Sequence, residues 1–348
     1  MKPLQRHVFI ILVPMMPKVS FLVPFLNPGD ALFRCIDSML SQEGPLFEIV
    51  LVDNGSTDGT YEQVSERYRI HHLIRLAHEP QPGIAHALNT GLKYCSGTYI
   101  ARMDADDVCL PGRIALQSQL LDDEPEIGLV SGLVQHQGPT TNEGMAYYVE
   151  TINSITEQDA IRKHRFVESP LAHPSVMFRK SLIDQFGNYS TNAVPEDYEL
   201  WLRWMDAGVK MKKVNQQVIV WNDSPERLSR THANYSREAF EEVRVHYLTR
   251  WLRAHVRPDK PVFIWGGGKY SKRKCELLES NGIRIHGFID VVEKAGPTNK
   301  PTIHYTKIPP AGTMFILSSV SNRGKHEEIR SHLLALGYSE EVDFIVSS

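Results

Sequence analysis

Three aspartates, Asp104, Asp106 and Asp107, crowd the end of the run Thr98-Tyr-Ile-Ala-Arg-Met-Asp-Ala-Asp-Asp107. Alternate side chains of a strand share a face, so the spacing predicts that Asp104 and Asp106 aim at one point just beyond a strand end. Two convergent carboxylates repel each other, and a hard divalent cation, Mg²⁺ or Mn²⁺, makes the arrangement favourable. Such an ion would then attract phosphate oxygens. The competing reading is an acidic turn that caps a helix beginning near Pro111. Two further acidic groups stand in comparable places: Asp53 opens the loop Asp53-Asn-Gly-Ser-Thr-Asp-Gly59, and Glu196-Asp197 precedes an amphipathic run. A metal and phosphates at one end of a parallel sheet, with another carboxylate as base, suit transfer chemistry on a nucleotide-activated substrate.

The elements that must hold these residues follow from periodicity. The apolar runs Val19 to Leu26 and Phe47 to Val52 read as strands covered on both faces, and the segment from Asp30 to Gln42 has helical spacing. A helix over 60–68, a strand over 72–76, a helix over 82–94 and a strand over 98–103 complete an alternation typical of right-handed parallel crossovers. The loops at the carboxyl ends of such strands are where open α/β sheets bind ligands. A helix over 111–121, a strand over 127–134, a helix over 155–165, a strand over 173–179 and a helix over 180–186 come next. Paired strands over 210–221 close this part, and a charged helix over 229–253 connects it to a separate unit beginning after Pro258. That unit reads as a small α/β layer structure. The chain thus divides into an N-terminal extension (1–16), a first domain (17–228), a helical connector (229–258) and a second domain (259–348).

A length of 348 residues suits about two domains. A formal charge of −3 gives no general electrostatic attraction to nucleic acid. Cys35, Cys95, Cys109 and Cys275 contain no C-x-x-C pair, which argues against a zinc site or a disulfide framework and fits a reducing cytosol. The apolar run between His7 and Met16 is too short to span a bilayer. It reads as a loosely attached extension, with Met15 or Met16 as alternative starts. No transmembrane segment is expected, so any membrane contact would be peripheral, made by a cytoplasmic protein.

The blocks Val19 to Asn27, Leu51-Val-Asp-Asn-Gly-Ser-Thr-Asp-Gly59, Gly83 to Asn89 and Gly97 to Pro111 resemble, in order, those of family 2 glycosyltransferases with the GT-A fold. The resemblance spans residues 17 to 232. It implies a mixed, mainly parallel sheet flanked by helices, and an inverting, metal-dependent transfer of a sugar from a nucleotide-diphosphate donor to a hydroxyl acceptor, a glycan or lipid-linked glycan, in cell-surface glycan biosynthesis. It places Pro24, Asn27, Asp53, Asn89 and Asp104 at the donor nucleotide, with Asp106 the direct ligand of Mn²⁺ or Mg²⁺. Asp104 then lies nearer the ribose or a metal-bound water, and Asp107 is left to cap the following helix. Glu196-Asp197 matches the family's acidic pair, with Asp197 the candidate general base. His173 is a candidate at the acceptor border and His232 a candidate third metal ligand, each with the plainer alternative of a packed or surface imidazole. Arg227, Arg230 and His232 form a basic edge suited to a diphosphate.

In the second unit, Gly266-Gly-Gly268 follows a strand and precedes a helix, and Asp290 ends the next strand, as in dinucleotide-binding units. Ser271 stands where the third glycine of that fingerprint belongs, so a structural or assembly role for a small Rossmann-like module is expected instead. Two other functions suit the same residues. A sugar nucleotidyltransferase would open with a Gly-rich basic loop, which Asn27-Pro-Gly-Asp30 is not. A nucleotide-sugar sensor would use the second unit as output, and Asp197→Asn separates it from an enzyme. The donor sugar, the acceptor and the oligomeric state are not written in these motifs.

Overall fold

The computed structural model describes residues 16–138, 143–223, 230, 232–292, 300–320 and 324–347. The expected extension up to residue 15 and Arg227 lie outside the described residues. Two fully buried runs, β1 (Val19–Phe25) and β2 (Phe47–Asp53), lie side by side and parallel. Their internal polar residues satisfy each other, Ser20 Oγ donating to Glu48 at 2.6 Å. Helix α1 (Ala31–Leu40) turns Leu32, Cys35, Ile36 and Met39 inward, the spacing of one helix face. After α2 (Thr60–Tyr68), β3 (Ile74–His78) pairs parallel with β2. Helix α3 (Ile84–Tyr94) then leads to β4 (Tyr99–Arg102), parallel to β1 on its other side. The loops after β1, β2 and β4 therefore open at one edge of the sheet.

The rest of this sheet is mixed. A two-residue strand β5 (Val108–Cys109), α4 (Arg113–Asp123), β6 (Ile127–Gln137), α5 (Glu143–Ser154) and α6 (Gln158–His164) follow in order. Then come β7 (Met177–Arg179), α7 (Ser181–Phe186), α8 (Glu196–Asp206) and β8 (Lys210–Asn222). The order across the sheet is β3-β2-β1-β4-β7-β6-β8-β5. Three expectations change here. The helix expected over 155–165 is α6 alone, with α5 unforeseen before it, and residues 173–175 form a 3₁₀ turn ahead of a shorter strand. The paired strands expected over 210–221 are one long strand. Gly132 pairs with Val214 but Leu133 pairs with Gln217, so Asn215 and Gln216 are absorbed as a bulge where their polarity suggests a turn.

The long helix α9 (Arg237–His255) leads to a second sheet made of β9 (Val262–Trp265), β10 (Ile285–Asp290), β11 (Thr302–His304), β12 (Phe315–Ser318) and β13 (Phe344–Val346). All of its pairings are parallel, in the order β11-β10-β9-β12-β13, with α10 (Lys269–Ser280) and α11 (Lys325–Ala335) as crossovers. The two units share a core. Tyr198 and Leu202 of α8 join Leu248 and Trp251 of α9, Cys275 of α10, and Ile264 and Phe315 of the second sheet in one apolar cluster. Helix α8, which begins at Glu196, is thereby held from the side of the second unit as well as by the first sheet.

Candidate active site

Strand β4 stops at Arg102, short of the aspartates. The expected shared strand face is therefore corrected: Asp104 to Asp107 occupy a turn, closed by Asp107 N–H donating to Asp104 O at 3.3 Å. The turn achieves the convergence instead, with ligand atoms of Asp104, Asp106 and Asp107 all within 4.8 Å of one another. Among the described residues, no other trio of carboxylates, imidazoles or thiols is gathered so closely. Oxygen-only donors at this spacing fit a hard divalent cation, which binds carboxylates at roughly 2.0–2.6 Å. The expected helix-capping role of Asp107 does not hold. Its Oδ1 accepts from Asn222 N–H of β8 at 2.8 Å, while the N-cap position of α4 is Gly112, with no side-chain cap. The intervening β5, which carries the chain to β8, separates the turn from the helix.

The loops beside the turn are fastened to one another. Asn27, in the left-handed region at φ 52°, accepts from Thr57 N–H at 2.7 Å through its side chain, and its own N–H donates to Ser56 Oγ at 3.0 Å. Asp58 accepts from Gly29 N–H at 3.1 Å. Asp53 is buried; its oxygens accept from Gly55 and Ser56 N–H and meet His78 Nδ1 at 2.9 Å. Burial would raise its carboxyl, but the hydrogen bonds from Ser56, His78 and Gly55 outweigh it and hold the group below the usual range. Asn89 clasps the Tyr189 backbone, donating to its carbonyl at 2.9 Å and accepting from its N–H at 3.0 Å.

Arg102 is a residue that the sequence reading passed over. It is buried and forms an ion pair with Asp104. Its Nε is buried with no hydrogen-bond partner among the described residues. Its main-chain carbonyl is held by the buried guanidinium of Arg113 at 2.8 Å, and Arg113 is braced by Gln117 at 3.0 Å. Glu196 and Asp197 begin α8, where the helix dipole favours negative charge, and Asp197 accepts from Tyr198 N–H at 2.7 Å. Burial and the adjacent Asp197 push the Glu196 carboxyl up, against a 2.6 Å hydrogen bond from Tyr235. Burial also pushes Asp197 up, against the Tyr198 amide and the Arg102 guanidinium. Burial, with Arg102 adding to it, pushes His173 well below the usual imidazole range, so it is a neutral partner of Tyr189, 3.0 Å away.

One continuous cavity of about 1390 Å³ connects these groups. Pro24, Asn27, Asp104, Asp106, His173, Glu196, Asp197 and His232 all line it, joined by Arg102 and Tyr235. Asp53 and Asn89, expected at the nucleotide, lie behind the lining and fasten loops. His232 stands outside the aspartate trio; its Nδ1 accepts from Asn234 N–H at 3.3 Å and caps a short 3₁₀ turn. Of the expected basic edge, Arg230 meets both oxygens of Asp223 at 2.6 and 2.7 Å. The long-range contacts of Arg102 and Tyr235 carry no short sequence signal; only the position of Arg102, two residues before Asp104, hints at its partner.

Residues 20–187 match the family model described as Glycosyl transferase family 2. The chain is 32% identical over 182 residues to the amylovoran biosynthesis glycosyltransferase AmsE of Erwinia amylovora, covering 51% of this chain and 65% of that relative. An uncharacterized glycosyltransferase of Haemophilus influenzae is 31% identical over 186 residues, covering 53% of this chain and 67% of its own length. Among solved structures, S. aureus TarS 1-349 in complex with UDP-GlcNAc superposes with a TM-score of 0.50 at 18% identity, covering 76% of this chain and 71% of that one. That likeness concerns the fold, and the mixed sheet with helices on both faces is of the GT-A type. No helix among the described residues is long and apolar enough to cross a membrane.

Proposed function

The chain belongs to glycosyl transferase family 2, and from that membership and the carboxylate-lined cavity we propose an inverting transfer of a sugar from a nucleotide-diphosphate donor to a glycan hydroxyl. The observation that carries the reading is the meeting of two acidic groups on one cavity: the Asp104–Asp106 turn and the Glu196–Asp197 helix start. Asp104 and Asp106, backed by Asp107, are the residues that would hold Mg²⁺ or Mn²⁺, which when bound supplies positive charge against the donor's diphosphate. Pro24 and Asn27 form the loop on the nucleotide side. Asp197 takes the proton of the acceptor hydroxyl while that oxygen attacks the anomeric carbon. The bond from that carbon to the diphosphate oxygen breaks, the electron pair leaves with the diphosphate, and configuration inverts. Glu196, whose carboxyl accepts from the Tyr235 hydroxyl, keeps the start of α8 in place, and Asp197 is the member of the pair that acts as base.

In this reading residues 17–228 carry the chemistry, 229–258 connect, and 259–348 complete the far wall. An acceptor in bacterial polysaccharide assembly is favoured by the name of the Erwinia relative. The test is a thermal-shift panel of nucleotide diphosphate sugars with and without Mn²⁺, followed by turnover of any donor that stabilises. Stabilisation by UDP or GDP sugars that requires the metal is the expected result. An identical shift with and without metal would remove the aspartate turn from the donor site.

A further inference from the structure

The cavity does not end at the carboxylates. Its far side is built by α9 and α10, which present Arg237, Arg244, Arg273 and Lys274 against Glu238 and Glu241. The near side presents Asp104, Asp106, Glu196 and Asp197 against Arg102. The near side is thus net negative, and the far side, with Glu168 also on the lining near Arg244, keeps one positive charge in excess. A pocket for one small ligand runs to roughly 300–1,000 Å³, so about 1390 Å³ leaves room for a second substrate.

We propose that the wall formed by α9 and α10 is the acceptor subsite and that it takes a saccharide bearing an anionic group, a phosphate or a carboxylate. The inference rests on the glycosyl-transfer reading for the label acceptor, while the anion site stands on the wall's own chemistry. Two paths of contact lead from the acidic pair to this wall. Glu196 takes the Tyr235 hydroxyl at 2.6 Å, and two residues on, the Arg237 guanidinium lies 3.9 Å from the centre of the Tyr270 ring. From Asp197, the neighbouring Tyr198 hydroxyl lies 3.4 Å from Arg244, which meets Glu241 at 2.6 Å, and Glu241 meets Lys274 at 3.3 Å. The shared apolar cluster of α8, α9, α10 and the second sheet fixes this spacing, so the wall is preformed.

The wall's composition identifies the ligand class. Tyr270 keeps 47% of its surface open, an aromatic face suited to the carbon face of a sugar ring. Arg237 covers one side of that ring, and Arg273, half exposed, has its nearest carboxylate, Glu242, at 3.8 Å. Glu241 is engaged by both Lys274 and Arg244, and Glu238 is the other carboxylate of α9 on the lining. In the proposed reaction the donor's diphosphate would be countered by the divalent cation that Asp104 and Asp106 would hold. An anion on the acceptor is the counterpart of the opposite wall, and guanidinium groups bind phosphate and carboxylate in two-pronged fashion.

The test titrates the full-length protein, in Mn²⁺ with excess UDP or GDP, with glucose 1-phosphate, methyl glucuronide and methyl glucoside. At least one anionic saccharide should bind about tenfold more tightly than the neutral one, and Arg273→Glu should remove about tenfold of that affinity, while Arg273→Lys, which keeps the charge but not the two-pronged contact, should restore only part of it. The two anionic arms distinguish phosphate from carboxylate. An unchanged thermal midpoint in Arg273→Glu shows that a loss is not unfolding. Equal affinity for all three saccharides, no effect of Arg273→Glu, or displacement of the anion by the nucleotide would overturn the proposal. Because binding is read without turnover, a protein that transferred no sugar would still answer the test.

Discussion

The molecule contains two parallel-strand edges of the same general kind, and they have opposite fates. At the first, the loops after β1, β2 and β4 open onto the cavity and leave Asp104, Asp106, Glu196 and Asp197 gathered around Arg102. At the second, the turn Gly266-Gly-Gly268 is filled by the protein itself. Ser271 Oγ donates to Ser319 O at 3.1 Å, and Lys274 donates to Ser347 O at 2.6 Å. A Cβ built on Gly267 would come 2.6 Å from Asp290 Oδ2, so the Asp290 carboxylate stands against the middle of this turn. The contrast separates topology from function. Both edges lie where α/β sheets bind ligands, but the first gathers convergent carboxylates around one cavity, whereas the second binds its own Ser271 and Lys274 to the chain.

The largest effects should come from removing those carboxylates. Asp106→Asn is expected to abolish the metal-dependent thermal shift and to lower transfer by about 10³-fold, as loss of a group that stabilises the transition state does. Asp197→Asn should lower kcat by about 10³-fold and leave the affinity for the donor within error, measured by titration beside turnover. If Asp197→Asn transferred sugar at the normal rate, the base would lie elsewhere and the first edge would be only a binding site.

Arg102→Met comes next. Removing one partner of a buried ion pair costs about 3 kcal/mol, and the loss should appear in denaturant unfolding. The same change has a sign that stability alone would not predict. Asp197 must be ionised to accept a proton, and burial raises its carboxyl while the Arg102 charge lowers it. The acid limb of kcat in the wild type should therefore lie above the ordinary aspartate range, and Arg102→Met should move it higher still. Arg102→Lys, which keeps the charge, should leave the limb nearer the wild-type position. A limb that Arg102→Met does not move would make Arg102 a structural ion only.

What the sequence made legible and what it hid divide along range. The apolar runs over 19–26 and 47–52 stop at residues that the structure places on one sheet edge, because strand burial and strand ends are written locally in hydropathy. The Asp104–Asp106 pair was found for a partly mistaken reason: the spacing suggested a strand face, and a turn does the gathering. Asp53 and Asn89, expected at the nucleotide, also hold the neighbouring backbone in place, Asn89 across 100 residues of sequence, a contact no local pattern announces. The connection of Glu196 to Tyr235 and the burial of Arg102 depend on packing across the whole sheet, which no window of sequence contains.

The smallest predicted effect examines the second edge. Ser271→Gly restores the third glycine of the dinucleotide fingerprint, and a reading from motif alone would expect it to create a cofactor site. Position 271 lies inside α10, where glycine costs about 1 kcal/mol relative to a good helix former. The substitution also removes the hydrogen bond to Ser319 O, worth about another 1 kcal/mol. The thermal midpoint should fall modestly, and NAD or NADP should add no stabilisation, because Asp290 and Lys274 remain where they are. Saturable binding of either dinucleotide by Ser271→Gly would mean that Ser271 alone closes the second edge, and the two edges would then differ by one side chain rather than by the carboxylates that only the first gathers.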